Sequence, residues 1–221
     1  PTDKIGLAGM TGAVMRTGGG GGLSAEQVDA ELEQFAADVS IGIGRQSGSA
    51  SLDVLSKDVN RGLEIFAGLI RTPAFDPARV ELVKLQAIEG IRRRQDNPGS
   101  IVGREFAKML YGAAHPSARE SSLDSVTRIT RDDLVTFHHN TIHPNGMILG
   151  VTGDFKRDEM VASLRAVFGN WKNGTVPELR IVDVPEAELS RPVVRFVGKE
   201  TSQTHLRVGH LSIKENDPDY V

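Results

Sequence analysis

The 221-residue chain contains no cysteine. That excludes disulfides, thiolate metal sites and a Cys nucleophile, and it leaves the compartment open. No apolar run approaches the roughly 20 residues that a membrane helix needs. Charge of one sign is not in excess: 26 Lys and Arg face 29 Asp and Glu, for a net charge of -3. A dedicated nucleic-acid binder needs a basic surplus to displace counterions from phosphate, so that class is disfavoured. There is no signal-like stretch and no short-period repeat. Hydrophobic residues, at 39%, with 25% charged residues, suffice for a packed core. The chain opens on Pro1 and closes on Asp217-Pro218-Asp219-Tyr220-Val221. We expect it to be part of a longer polypeptide.

Apolar periodicity switches several times along the chain. Ile5 to Met15 reads as a short helix, followed by the run Gly18-Gly19-Gly20-Gly21-Gly22. Ser24 and Gln27 form a capping box for a helix carrying Val28, Leu32, Phe35 and Ala36 on one face. Val39, Ile41 and Ile43 alternate, as do Ala50, Leu52 and Val54, which predicts a hairpin over 39–54. Helical spacing returns with Val59, Leu63, Phe66 and Ile70, then again after Asp76-Pro77 and after Asn97-Pro98. Thr130 with Asp133 caps a helix expected to run to about His143. Met147 to Val151 reads as a strand, and Met160, Val161, Leu164 and Phe168 as a helical stripe. A long loop is expected over 175–191, then strands over 193–197 and 205–213. This order predicts an α+β fold with a mostly antiparallel sheet covered by helices on one face.

Few residues carry evident chemistry. The glycine run lacks the Lys and the preceding strand of a phosphate-binding loop, and reads as a flexible loop. His139 and His143 are four apart and could share a helix face toward zinc, but no acid lies between them and no third ligand suggests itself. With His138 they read better as helix-end histidines. His205 and His210, five apart on an expected strand, point to opposite faces. Arg92-Arg93-Arg94 reads as a solvated helix end, and Asp132-Asp133, Glu186 and Glu188 as ordinary helix-start and loop charges. No Gly-x-Ser-x-Gly elbow exists.

The order of segments adds what composition does not. Gly6-Leu7-Ala8 followed by Arg16-Thr17-Gly18-Gly19 resembles the start of the pitrilysin/insulinase family of zinc metallopeptidases, which includes the mitochondrial processing peptidase. Leu69 to Phe75, Asp96-Asn97-Pro98, Phe106 to Pro116, Pro144-Asn145 with Leu149 to Asp154, Gln203 to Gly209 and Asp217 to Tyr220 continue the resemblance in the family's order. The family pattern Gly-Leu-Ala-His-x-x-Glu-His holds zinc on two His with the Glu activating water, and a Glu on a later helix completes the site. Carried over by position, the first His falls on Gly9, the catalytic Glu on Gly12, the second His on Ala13 and the later Glu on Gly90. Glu89 is adjacent, but one residue turns a helical side chain by about 100 degrees.

The resemblance therefore implies one peptidase-like half-chamber domain over 1–214, with 215–221 leading toward a second domain. It implies a non-catalytic homologue of a zinc metalloendopeptidase, with no cofactor here and zinc in a catalytic partner half that keeps an intact motif. Peptide is the expected substrate, with no nucleic acid and no membrane span. Periplasmic and cytoplasmic bacterial settings both remain open. The rival readings are an active zinc peptidase with displaced ligands such as His115, His139 or His143, and a structural assembly subunit.

Overall fold

The computed structural model describes residues 3–176, 178, 182, 192–212 and 218–219. They form two compact units: Pro1–Ile88 with Ser121–Leu179, and Glu89–Glu120 with Arg180–Val221. The fold is α+β.

The first unit opens with α1 (Leu7–Thr17) and α2 (Ala25–Gln34). The Ser24 hydroxyl accepts from the Gln27 amide and the Gln27 side chain accepts from the Ser24 amide, which closes the expected capping box. The hairpin pairs β1 (Asp38–Ile43) with β2 (Gly48–Asp53), with Val39 opposite Leu52 and Ile41 opposite Ala50. α3 (Val59–Arg71) supplies the centre of the core. Its Ile65, Phe66, Leu69 and Ile70 pack with Val28 and Leu32 of α2 and Val39 of β1. Each such side chain contributes about 1.5–3 kcal/mol on full burial. Gly62 lets the hairpin lie close on α3: a Cβ there would meet Val54 at 3.2 Å and Leu52 at 3.4 Å.

α4 (Pro77–Arg92) starts where expected, with Asp76 Oδ1 accepting from the Arg79 amide at 3.0 Å. Phe75 just before it is 2% exposed and has φ of +49°, a conformation that costs a non-glycine residue about 1 kcal/mol. Arg131 holds that turn by donating to the Phe75 and Ala74 carbonyls. A short helix, α6 (Leu123–Thr127), was not anticipated; Ser122 and Ser125 cap it reciprocally. α7 (Arg131–Thr141) carries the expected Thr130–Asp133 box but stops at Thr141, short of His143. α8 (Arg157–Phe168) is joined to α3 by Arg71, which donates to the Val167 carbonyl and to Asn170 and lies 5.8 Å from the Trp171 ring centre.

The glycine run is not a flexible loop. Gly20 and Leu23 exchange backbone hydrogen bonds, Gly21 donates to Thr72, and Gly19 and Gly18 accept from Ala74 and Asp76. The run is glycine because backbone meets backbone here. A Cβ on Gly20 would sit 2.8 Å from the Gly68 carbonyl oxygen, and one on Gly21 would sit 2.9 Å from Gly68 Cα.

Sheet pairing is less extensive than expected. Among the described residues the β1–β2 ladder is the only sheet. Residues 147–151 have no ladder partner, and Ile148 is fully exposed. Residues 193–197 and 205–212 likewise have none, and Ile213 lies outside the described residues. So does most of the expected loop over 175–191.

In the second unit, α5 (Pro98–Tyr111) is capped by Asn97 and ends at Gly112, with φ of +77°. The segment 192–212 keeps the alternation of a strand. Arg195 pairs with Glu105 of α5 at 2.7 Å, Arg207 lies over Phe106, and Gly209 approaches the same ring. Val194, Phe196, Leu206 and Val208 are instead each more than 80% exposed. Arg195, Arg207 and Gly209 thus touch α5, and the expected ladder is missing among the described residues.

Gly20→Ala is expected to lower stability by about 1–3 kcal/mol, because the added methyl overpacks against backbone that cannot rotate away. Urea unfolding of the variant beside wild type measures it, and an unchanged midpoint would contradict the close-packed turn.

Candidate functional site

The three motif positions on α1 sit at i, i+3 and i+4, so they share one side of the helix. Gly9 is exposed, Gly12 is buried and Ala13 is half-buried. A Cβ on Gly9 would meet nothing within 4 Å. A Cβ on Gly12 would meet the Ile43 amide nitrogen at 3.0 Å, Ile43 Cγ1 at 3.3 Å and the Gly42 carbonyl carbon at 3.4 Å. The helix therefore rests on the end of β1 at Gly12, the position that the resemblance above sets against the family's Glu. One turn further on, Arg16 donates from Nε to the Val39 carbonyl at 2.7 Å and pairs with Asp29 at 3.2 Å. Gly12 and Arg16 clamp α1 to β1 at two points. The sequence marks Arg16 only as part of a resemblance; its role needs the fold.

Gly90 lies near the end of α4, is exposed, and would offer a Cβ open space. Glu89 beside it is engaged in surface ion pairs with Arg93 at 2.8 Å and Arg92 at 3.7 Å. No donor atom stands at Gly9, Gly12, Ala13 or Gly90, so these positions do not fit zinc.

The histidines are dispersed or occupied. His115 Nδ1 accepts from the Ser117 amide, which leaves Nε2 as the donor to the Val182 carbonyl at 2.9 Å, and the ring stacks on Tyr111. His138 Nε2 donates to the Ile70 carbonyl at 2.7 Å, and the ring meets Phe75 edge-on. His139 is exposed on α7, while His143 lies beyond the helix end in extended backbone, so the two do not share a helix face. Among the described residues, no three His, Cys, Asp or Glu come together as a metal cluster. No helix among them is long and apolar enough to cross a membrane.

Residues 128–221 match the family model of the peptidase M16 inactive domain. A Mycobacterium leprae protein named an uncharacterized zinc protease is 32% identical over 119 residues, covering 53% of this chain and 26% of its own length. A solved peptidase M16 inactive domain from Pseudomonas fluorescens superposes with a TM-score of 0.69 at 27% identity, over 79% of this chain and 43% of that one. Together these likenesses support a pitrilysin-family, peptidase-like domain. The first half of the periplasmic protease PqqL from Escherichia coli shares the fold, with a TM-score of 0.67 at 18% identity, over 83% of this chain and 41% of that one. The chain spans less than half the length of each of these relatives.

Two predictions follow from the geometry. Gly9→Ala is expected to raise stability by about 0.5–1 kcal/mol, since a helical glycine gives way to alanine with no clash; a thermal melt that moves down would contradict the open position. Burial holds the His138 imidazole below its ordinary proton affinity, aided by His139 and His143 nearby and opposed by the bond to Ile70. A group whose charged form is disfavoured in the folded state contributes full stability above its unfolded value, about 6.5, and loses it as pH falls. Denaturant midpoints at pH 7.5 and pH 5 should therefore differ more for wild type than for His138→Gln, and equal differences would remove His138 as the cause.

Proposed function

We propose that this domain is the non-catalytic, substrate-enclosing half of a two-part peptidase. The zinc and the water-activating Glu belong to a separate half with an intact His-x-x-Glu-His, on the same polypeptide or on another. The observation that carries this reading is the state of the motif positions: Gly9, Gly12 and Ala13 offer no ligand, and Gly12 is filled by the backbone of β1. Two further observations support it. The exposed apolar side chains Val194, Phe196, Leu206 and Val208 suit contact with an extended peptide or a neighbouring element. A solved neighbour is itself described as the first half of a protease.

The displaced-ligand alternative finds less support, because His115 and His138 spend ring nitrogens on backbone groups and His139 and His143 do not share a face. A purely structural subunit would keep the fold without affecting hydrolysis, and the same experiment separates it.

Purified protein, freed of any affinity tag, is expected to hold no stoichiometric zinc by elemental analysis. About one zinc per chain, lost on His139→Ala or His143→Ala, would restore the displaced-ligand reading. Peptide hydrolysis is expected only when this protein is mixed with, or joined to, a half carrying the intact motif. Full activity of that half alone, unchanged on mixing, would instead assign this domain a structural role.

A further inference from the structure

The sequence holds two Asn-Gly dipeptides, Asn145-Gly146 and Asn173-Gly174, and the first unit brings them into contact. Asn145 Nδ2 donates to the Gly174 carbonyl at 2.9 Å, and the Gly174 amide donates to Asn145 Oδ1 at 3.1 Å. One carboxamide thus pairs with both backbone groups of Gly174, as a facing strand residue would. Gly146 lies against Val176, where a Cβ would meet Cγ2 at 3.1 Å, and a Cβ on Gly174 would collide with the His143 ring. Residues 171–176 therefore form a strap clasped to 143–146. Trp171 anchors its start by packing on the apolar core and stacking on Phe168.

An asparagine followed by glycine can react with its own backbone, because glycine brings no Cβ into the path and turns freely. The glycine nitrogen bonds to the asparagine Cγ, the Cγ–Nδ2 bond breaks, and the displaced nitrogen leaves with the peptide proton as ammonia. Water then opens the resulting succinimide at either carbonyl. One opening gives aspartate, and the other gives isoaspartate, in which the main chain runs through the former side chain. No oxidant or reductant is needed, and water is the one co-reactant.

The two dipeptides are both exposed but differ in what holds the reacting atoms. At Asn145 the carboxamide is bonded at both ends, and the attacking Gly146 amide donates to the His143 carbonyl at 3.1 Å within the turn Pro144–Gly146. At Asn173 the side chain makes no hydrogen bond among the described residues. Its attacking group, the Gly174 amide, is held by the single bond to Asn145. One surface bond opens far more readily than a set of three.

We propose that Asn173 is a site of spontaneous conversion to aspartate and isoaspartate, that Asn145 guards it, and that conversion unclasps the strap. Isoaspartate adds a methylene to the main chain beside Gly174. That shifts the two groups that Asn145 holds, and His143 leaves no slack on that side. This inference is independent of the peptidase reading.

The test incubates the full chain in warm, mildly alkaline buffer, folded and in urea. Pepsin digestion in acid then halts the reaction, and mass spectrometry with electron-transfer fragmentation reads each asparagine and identifies the iso form. In folded protein Asn173 is expected to convert at least about tenfold faster than Asn145, and in urea the two should converge. Asn145→Ala should speed conversion at Asn173 by freeing the Gly174 amide, with circular dichroism checking that the variant is folded. Trp171 is the chain's one tryptophan, so its emission should move to longer wavelength as Asn173 converts. Asn173→Gln, whose longer side chain closes a ring far more slowly, should abolish both changes. No conversion at Asn173, or conversion of Asn145 as fast in folded protein, would overturn the site. An unchanged Asn173 rate in folded Asn145→Ala would overturn the guard. Unchanged Trp171 emission after conversion would overturn the unclasping.

Discussion

Close approach of backbone to backbone, made possible by glycine, sets the geometry of the first unit. Gly12 lets α1 settle on the Ile43 end of β1. Gly20 and Gly21 let the turn after α1 settle on Gly68 of α3. Helix α1 is thereby fixed at its middle and just past its C-terminal end, and Arg16 adds a hydrogen bond to Val39 between them. The apolar core of α2, β1 and α3 then fills against a frame whose spacing is already determined, because packed interiors leave little room for adjustment.

The same constraint bears on chemistry. A zinc motif on a helix would need room for two imidazoles, a carboxylate, a metal and its water. Here the room at Gly12 is occupied by main chain, while Gly9 and Gly90 open onto empty space. Any side chain longer than that of glycine at position 12 would have to displace the end of β1.

Local signals in the sequence were legible where they were self-contained. The Ser24–Gln27 and Thr130–Asp133 boxes, the Asp76 start and the hairpin depend on residues a few positions apart, and each is present. α6 escaped notice because it is five residues long and its cap partner is Ser125, without the usual acid or amide. The strands over 147–151 and 193–197 were expected from alternation, which specifies an extended chain and its two faces but not the ladder partner. The glycine run misled for a related reason: five glycines signal freedom or close approach equally, and Gly68, far along the chain, decides between them. The motif positions rest on family resemblance alone, since glycine and alanine carry no chemistry of their own. The clamp by Arg16 was hidden because its acceptor is a main-chain carbonyl.

The proposal that matters most is that the packing of α1 on β1 leaves no room for a zinc motif on α1. The most direct measurement is the zinc content and thermal stability of the variant Gly9→His, Gly12→Glu, Ala13→His, which restores the motif on α1. The Glu should force α1 away from Ile43, so the account predicts a lower melting temperature than wild type and no stoichiometric zinc at micromolar metal. A variant that binds one zinc per chain and melts no lower than wild type would contradict it.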